Sequence, residues 1–324
     1  MSISVVILAA GQGTRMRSAR PKVLHPLGGV PMLLHVIRTA RELDPAGIHV
    51  VYGHGGDQVR EVLAGENVDW VLQDRQLGTG HAVELAMTRV SGADTVLVLY
   101  GDVPLIRAAT LSALVEKAAH GALAVLTAVV DEPRGYGRML RDSSGKLIAI
   151  VEQKDANPEE QTINEVNTGI MCVPRDRLVG WLDGLSNRNA QGEYYLTDVL
   201  GKAVGDGFDI QVCQPSSPIE AEGVNHRAQL AALERAQASL QRYKASVLKA
   251  ACEGRLVPTE AELARMQAEG GSFLTEEVGP EDIAEVVANW TGGGTRPPRA
   301  ASTMASRVVG ARTATWRPSW IALN

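Results

Sequence analysis

Apolar runs alternate with stretches of helical periodicity through the first half of this chain. The runs at residues 3–8, 49–52, 70–72 and 95–100 predict buried strands, because they are short and carry few polar residues. Apolar side chains recur at helical spacing over residues 31–43, 80–89 and 111–119. Strands that alternate with helices are typical of an α/β fold, in which a mostly parallel sheet carries helices on both faces.

The pattern changes after residue 122. Shorter apolar runs and more turn residues between positions 122 and 173 predict a small antiparallel excursion that covers the ligand site. Residues 226–255 predict one long helix, in which Leu233, Leu240 and Val247 recur every seven positions. This stripe fits either a partner helix or packing against the same chain, and the second arrangement is the more common one.

These patterns divide the chain into three parts. We expect an α/β domain at residues 1–227, a helical extension at 228–265 and an irregular tail at 266–324. The sequence from Gly292 onward is rich in Gly, Pro, Arg, Ser and Thr and has no period, which is typical of a disordered or unnatural terminus. We therefore interpret the chain as composite or truncated.

Composition narrows the class of protein. The 324 residues are 45% hydrophobic, which is enough for a sizeable core, and the net charge of −5 argues against a general nucleic-acid binder. Three widely spaced cysteines, Cys172, Cys213 and Cys252, fit neither a zinc site nor a disulfide framework and favour a reducing compartment. No signal peptide and no stretch of ~20 apolar residues is present. We expect a cytoplasmic protein that binds neither nucleic acid nor membranes.

The most informative segment is LAAGQGTRM at residues 8–16, which follows the first predicted strand. Glycines let a backbone approach a ligand closely and direct its N–H groups at an anion. Arg15 and Lys22 are cations that can pair with phosphates. The spacing matches neither GxGxxG nor GxxxxGK[ST], so by itself the segment also fits a tight turn with two surface cations.

A second candidate is Asp102, which follows the predicted strand at residues 95–100. A carboxylate at the end of a strand can hold Mg²⁺, although an isolated Gly-Asp before a proline more often caps a turn. Ligands of parallel sheets bind beyond the carboxyl ends of the strands. We therefore expect Gly11, Gly78 and Asp102 to converge on one rim of the sheet.

A series of motifs extends the glycine loop along the chain. They are Pro21-Lys22, VYGHGG at 51–56, Gln73 with QLGTGHA at 76–82, YGDVPL at 100–105, GYGR at 135–138, IVEQKD at 150–155, NEVNTG at 164–169, NAQGEYYLTD at 189–198 and EGVN at 222–225. In this order they resemble sugar-nucleotide pyrophosphorylases, and in particular the N-terminal domain of bacterial bifunctional N-acetylglucosamine-1-phosphate uridyltransferases. The resemblance covers about residues 3–235.

The resemblance implies a Rossmann-like nucleotidyltransferase sheet and a Mg²⁺-dependent reaction. UTP and N-acetylglucosamine 1-phosphate would give UDP-N-acetylglucosamine and pyrophosphate, a step in peptidoglycan and lipopolysaccharide synthesis. The sugar phosphate would attack the α-phosphorus in line. Because this nucleophile is already an anion, the site needs cations and alignment rather than a general base.

The resemblance also implies roles for individual residues. The catalytic cations would be Arg15 and Lys22, and the metal ligands would be Asp102 and Asn225. Nucleotide contacts are implied at Leu8, Ala9, Ala10, Gly11, Lys22, Gln73, Gly78 and Thr79. Sugar contacts are implied at Tyr100, Gly101, Asp102, Gly137, Glu152, Asn167, Thr197 and Asn225. Each residue taken alone fits an ordinary loop position, and the strength lies in their order along one chain.

Two alternatives stay open. The chain could be a pyrophosphorylase for another nucleotide or sugar 1-phosphate, such as dTTP with glucose 1-phosphate, or a non-catalytic protein that binds UDP-sugars. The presence of Lys22, Asp102 and Asn225 favours an enzyme. Members of the resembled family continue into a β-helix of hexapeptide repeats that carries an acetyltransferase and holds a trimer. This sequence has no such repeat, so we expect a monomer without acetyltransferase activity.

Overall fold

The first strand, β1 (Ile3–Ala9), lies inside a mixed sheet in the computed structural model, which describes residues 2–53 and 56–252. All seven of its residues are buried, as the continuous apolar run requires. The remaining strands are β2 (Pro26–Leu27), β3 (Val30–Pro31), β4 (Gly47–Gly53), β5 (Asp69–Gln73), β6 (Thr95–Tyr100), β7 (Leu123–Val129), β8 (Gly137–Arg141), β9 (Leu147–Val151), β10 (Glu165–Pro174) and β11 (Ile210–Cys213).

Helices connect these strands. They are α1 (Met32–Arg41), α2 (Asp57–Val62), α3 (Thr79–Met87), α4 (Ala108–Lys117), α5 (Arg175–Asp183), α6 (Asp198–Gly205) and α7 (Arg227–Cys252). Short 3₁₀ turns occur at Thr14–Met16, Lys22–Leu24, Ala119–Gly121, Glu160–Thr162 and Pro218–Ala221. No helix in the described part of the chain is long and apolar enough to cross a membrane.

The sheet runs in the order β11-β7-β10-β6-β1-β4-β5. β1 pairs in parallel with β4 and β6, β4 pairs in parallel with β5, and β11 with β7. β10 is antiparallel to both of its neighbours, β6 and β7. A hairpin of β8 and β9 lies off this path and joins the sheet through β10. The carboxyl ends of β1, β4, β5 and β6 therefore meet at the same rim.

Helices cover both faces of the sheet, as the sequence predicts. Along β1, Val5 and Ile7 belong to one buried cluster and Val6 and Leu8 to another, because successive side chains of a strand point to opposite faces. The first cluster includes apolar residues of α1, α2 and α4, and the second includes residues of α3, α5 and α6. This two-sided burial confirms the predicted α/β class.

The predicted elements agree closely with the structure. The strands predicted at 49–52 and 95–100 are β4 and β6, and the helix predicted at 226–255 is α7, which ends at Cys252 among the described residues. The antiparallel excursion is smaller than expected, because β7 and β10 belong to the main sheet. β7 pairs with both β10 and β11, and its first six residues are buried because both faces of the sheet are covered there.

The chain divides into two compact units after Glu234. The structure describes the second unit only as the end of α7, so the predicted tail at 266–324 lies outside the described residues. In the first unit Cys172 and Cys213 are buried free thiols. The proposed domain boundary at residue 227 stays a prediction.

Stability should depend on pH through His49, which is buried in β4. Burial lowers the pKa of His49, nearby Arg89 lowers it further, and Asp69 opposes both. His49 therefore binds a proton less readily in the folded protein than in the unfolded chain. In the unfolded chain a histidine titrates near pH 6.5, about the value in short peptides. The contribution of neutral His49 to the free energy of unfolding is therefore complete above about pH 6.5. It is lost as the pH falls through the pKa of His49 in the folded protein.

We expect the thermal unfolding midpoint to drop between about pH 8 and about pH 5.5, and to drop less in His49→Gln. His25 has a pKa that burial also lowers, so some pH dependence should persist in the variant. Thermal melts followed by circular dichroism at both pH values measure the difference. An identical drop in wild type and variant would contradict the role of His49.

Candidate active site

Three loops meet at the rim where the parallel strands end. The Gln76 side chain, after β5, donates a hydrogen bond from Nε2 to the Ala10 carbonyl at 2.6 Å. The Gly101 amide, after β6, donates to the Leu8 carbonyl at 2.9 Å. The loop after β1 is thus held between the loops after β5 and β6, and the expected convergence of Gly11, Gly78 and Asp102 on one rim follows from the sheet order.

The nucleotide-binding residues expected in the first loop differ in what they can offer a ligand. Leu8 and Ala9 are buried in the sheet, so their side chains serve the core and only their backbone could meet a nucleotide. Gly11 is exposed, and a Cβ placed there would find no atom within 4 Å. Gly13 has a φ of +61°, and a Cβ there would lie 2.6 Å from the Lys22 Cβ. The fold therefore demands glycine at 13 but not at 11.

A cationic cluster lies at the centre of the rim. The Lys22 ammonium forms an ion pair with the Asp102 carboxylate and donates a hydrogen bond to Asn225 Oδ1 at 2.9 Å. Arg15 donates to the same Asn225 oxygen, also at 2.9 Å. The side chains of Lys22 and Asp102 are only 11% and 22% exposed, so solvent screens this pair less than a surface pair. Four residues expected from the sequence therefore form one contact network.

Asn225 is fixed by its own backbone and by α7. The amide of the preceding Val224 donates to the Asp102 carbonyl at 2.8 Å, which joins the two segments directly. The Asn225 amide donates to Gln229 Oε1 at 2.8 Å, and its side-chain Nδ2 donates to the Gly223 carbonyl at 3.1 Å. The last contact turns Oδ1 towards the cations. Gln229 is a positioning residue that the sequence motifs did not single out.

The expected nucleotide contacts Gln73, Gly78 and Thr79 lie at the end of β5 and the start of α3. Gln73 is buried, and its Nε2 contacts the Gly78 carbonyl at 3.0 Å and His81 Nδ1 at 3.2 Å. The Thr79 hydroxyl accepts a hydrogen bond from the Leu196 amide at 3.0 Å. Gly78 has a φ of +114°, and a Cβ there would lie 2.5 Å from the Tyr194 carbonyl oxygen. Part of this motif therefore serves the contact with residues 194–196.

Most of the expected sugar contacts line one cleft of about 230 Å³. They are Tyr100, Gly137, Glu152, Asn167 and Thr197, and the cleft is also lined by Thr79, Gly135, Tyr136, Thr168, Gly169, Gln191, Glu193 and Tyr195. The Thr197 hydroxyl donates to Glu152 Oε1 at 3.0 Å, and the Gly169 amide donates to Asn167 Oδ1 at 3.0 Å. The cleft is thus walled by polar groups whose geometry is already fixed, as recognition of sugar hydroxyls needs.

A break in the pairing of β10 shapes the floor of this cleft. The register between β10 and β7 shifts between Asn167 and Met171. Gly169, inside the break, has a φ of +84°, and a Cβ there would collide with the Tyr100 ring. Asn167, at the edge of this break, lines the cleft, and the Tyr100 ring packs directly against the backbone of Gly169. The motif NEVNTG is therefore explained by geometry as well as by chemistry.

The electrostatics connect the cleft with the cationic cluster. Burial raises the pKa of Tyr100, and the negative charges of Glu152 and Asp102 raise it further. Burial also raises the pKa of Tyr136, with contributions from Glu222 and Asp102. Both phenols therefore stay protonated and lie within the field of the carboxylates. Tyr136 belongs to the quoted GYGR motif, but its role in joining the two regions was not predicted.

Glu152 has a raised pKa, chiefly because it is buried. The hydrogen bond from Thr197 opposes this shift, and the charges of Asp198 and Asp155 reinforce it. A buried carboxylate with one hydrogen-bond donor has capacity to accept more. It is suited to accept hydrogen bonds from a polar ligand in the cleft.

The donor set at the rim fits a hard divalent cation. The carboxylate of Asp102 and the amide oxygen of Asn225 already converge on one positive group, the Lys22 ammonium. Mg²⁺ commonly takes one or two protein oxygens and completes its shell with phosphate and water. No cluster of three or more His, Cys, Asp or Glu side chains suited to a metal occurs among the described residues.

Comparisons with known proteins give three findings. The profile of the family described as MobA-like NTP transferase domain matches residues 5–204. A protein named bifunctional protein GlmU from Pseudomonas fluorescens is 57% identical over 235 residues, which cover 72% of this chain and 51% of that protein. A protein of the same name from Azotobacter vinelandii is 58% identical over 235 residues, which cover 72% of this chain and 52% of that protein. The chain thus spans about half the length of these relatives.

The third finding concerns solved structures. A nucleotidyl transferase from Methanothermobacter superposes with a TM-score of 0.53 at 23% identity, over 72% of this chain and 96% of that one. A putative glucose-1-phosphate thymidylyltransferase from Bacillus anthracis superposes with a TM-score of 0.57 at 21% identity, over 72% and 94%. At such low identity these matches establish the fold alone.

Two glycines in the site should respond differently to alanine. Gly78→Ala places a side chain at a positive φ against the Tyr194 backbone, so we expect a loss of roughly 1–3 kcal/mol in stability. Gly11→Ala enters open space, so its unfolding midpoint should equal that of wild type. Thermal melts of both variants measure this. Equal stability of the two variants would contradict the assigned backbone geometry.

Proposed function

This chain belongs to the MobA-like NTP transferase domain family, and we propose that it transfers a uridylyl group from UTP to N-acetylglucosamine 1-phosphate. The products would be UDP-N-acetylglucosamine and pyrophosphate. The observation that carries the proposal is the network of Lys22, Asp102 and Asn225 beside a polar cleft. High identity to proteins named GlmU supports uridine and this sugar over the alternative substrates.

We assign the cations to the phosphates. In a transfer reaction of this type, negative charge grows on the leaving pyrophosphate, and prearranged cations stabilise it without reorganisation. Arg15 and Lys22 lie on one loop and share Asn225 as an anchor. Binding of a triphosphate would offer both side chains a stronger acceptor than the Asn225 amide oxygen. The exposed backbone at Gly11 is placed to receive the same phosphates.

We propose Mg²⁺ as the cofactor, held by Asp102 and Asn225. A bound divalent cation supplies charge neutralisation between the phosphates of the two substrates. The Lys22 ammonium contacts both of these oxygens and so neutralises part of the Asp102 charge. With Mg²⁺ held by Asp102 and Asn225, the Lys22 ammonium would pair with the phosphates.

We assign the base and the sugar to the two neighbouring regions. The buried amide of Gln73 and the backbone at Gly78 and Thr79 would pair with the imide edge of uracil. Gly137, Glu152, Asn167 and Thr197 would hold the sugar hydroxyls and the N-acetyl group. Tyr100 lines the cleft and Gly101 follows it at the end of β6, where the phosphates of the product would cross. The proposed partners are these small molecules alone.

We also propose that the enzyme works in the cytoplasm. Buried free thiols at Cys172 and Cys213 are compatible with a reducing compartment. The expected monomeric state stays a prediction.

A pyrophosphate-release assay with UTP, Mg²⁺ and N-acetylglucosamine 1-phosphate tests the function. Asp102→Asn keeps the shape of the side chain but removes its charge, so turnover should fall by roughly 10²–10³-fold. Asp176→Asn, which changes a carboxylate that is 93% exposed, should leave turnover unchanged.

Near wild-type turnover of Asp102→Asn at saturating Mg²⁺ would refute the metal assignment. Faster turnover of wild type with dTTP and glucose 1-phosphate would refute the substrate assignment. Binding of UDP-N-acetylglucosamine without any turnover would point to the non-catalytic alternative.

Lys22→Ala and Arg15→Ala should lower kcat more than they raise KM for the sugar phosphate. Their charges matter most when charge shifts to the leaving pyrophosphate, so we expect kcat to fall by roughly a hundredfold. Arg20→Ala removes an exposed charge from the same loop and serves as the control. A rise in the sugar KM with unchanged kcat in Lys22→Ala would exclude the catalytic role.

A further inference from the structure

The most unusual charge in this domain belongs to Arg138 in β8. The residue is 1% exposed and is among the largest fully buried side chains. No carboxylate among the described residues forms an ion pair with it, and its Nε has no hydrogen-bond partner there. Burying a cation without a counter-charge opposes folding, and burial accordingly lowers the pKa of Arg138.

The contacts of the guanidinium join two walls of the polar cleft. Nη1 donates to the Tyr136 carbonyl, and Nη2 donates to Gln153 Oε1 at 2.8 Å. The same Gln153 oxygen accepts a hydrogen bond from the Gly135 amide at 3.1 Å. Arg138 and Gln153 therefore bind the turn at residues 135–137 to the strand end that carries Glu152.

The spacing between these two walls is tight. A Cβ placed at Gly137 would lie 3.4 Å from Glu152 Oε1 and 2.9 Å from Ile150 Cγ2. Gly137 also pairs with Asn167 in β10, and Arg138 pairs with Val166. A small shift of the turn would therefore change the distance between the polar groups that face the cleft from three strands.

A purely structural arginine on the same strand gives a comparison. Arg141 binds the Glu165 carboxylate with two hydrogen bonds of 2.7 and 2.8 Å, and it is partly exposed. It has the paired, hydrated surroundings that arginines usually have. Arg138 has neither property and contacts only groups next to the cleft.

We propose that Arg138, acting through Gln153, is a positioning residue that sets the geometry of the sugar pocket. It holds the turn at residues 135–137 against the segment of Glu152, so that the cleft is formed before the sugar phosphate binds. This inference rests on the proposed function. The planar fork of the guanidinium reaches both acceptors at once, which a lysine ammonium does not do with the same geometry.

Steady-state kinetics of wild type, Arg138→Lys and Gln153→Ala test the proposal. We expect KM for N-acetylglucosamine 1-phosphate to rise and its kcat/KM to fall by about tenfold to a hundredfold, because small displacements of positioning groups cost that much. KM for UTP should stay within about twofold of wild type, because the uracil contacts lie on other loops. Gln153→Glu keeps the shared acceptor and should retain the wild-type sugar KM.

Arg141→Met is the matched control, since it removes a neighbouring arginine that does not line the cleft, and its sugar KM should equal that of wild type. Unchanged sugar KM in Gln153→Ala, or equal increases for both substrates, would overturn the positioning role while leaving the proposed function intact. If Arg138→Lys does not fold, Gln153→Ala alone decides. Absence of any turnover in wild type would instead refute the proposed function, and this inference with it.

Discussion

A single ammonium group, that of Lys22, joins three distant parts of the chain. It binds Asp102 after β6 and Asn225 before α7, which lies 203 residues further along the sequence. The pair is mostly shielded from water, so neither charge could be removed alone without leaving the other buried and uncompensated. The positive φ of Gly13 and its contact with the Lys22 side chain hold the loop that brings the lysine there. The two contacts of the Lys22 ammonium therefore connect the loop after β1 with the loop after β6 and with the segment before α7.

The contact also explains how a site can be assembled before its ligands arrive. The side-chain oxygens of Asp102 and Asn225 both contact the Lys22 ammonium. The Val224 amide, which donates to the Asp102 carbonyl, and the Gln229 side chain, which accepts from the Asn225 amide, hold the two segments in position. On the proposed function, Mg²⁺ held by Asp102 and Asn225 would take the place of this ammonium. The rigid parts of the site stay where the sheet has put them, which is the arrangement that electrostatic catalysis favours.

The second region of the site depends on the reversal of β10. β10 is antiparallel to its neighbours β6 and β7, and its register with β7 shifts near Gly169. The hairpin of β8 and β9 attaches to the part of β10 before the break. Asn167 in β10, Gly137 in β8 and Glu152 directly after β9 line one cleft. Arg138, which is buried with no counter-charge among the described residues, lies at their junction and donates hydrogen bonds to the Tyr136 carbonyl and to Gln153.

The sequence by itself determined the class of fold, because apolar runs and helical periodicity are local patterns. The strand at 95–100 and the helices begun near residues 32 and 79 follow from such patterns. Motif order also identified Lys22, Asp102, Asn225 and the residues of the cleft as one set. The sequence could not indicate that Lys22 contacts both expected metal ligands, nor that β7 and β10 join the main sheet. It also gave no sign of Gln229, and it placed Tyr136 and Arg138 in a motif without assigning a role to either residue. Those facts depend on contacts between residues that are far apart in the chain. Only tertiary packing decides which distant groups meet, at what distance they lie and how far they are exposed to water.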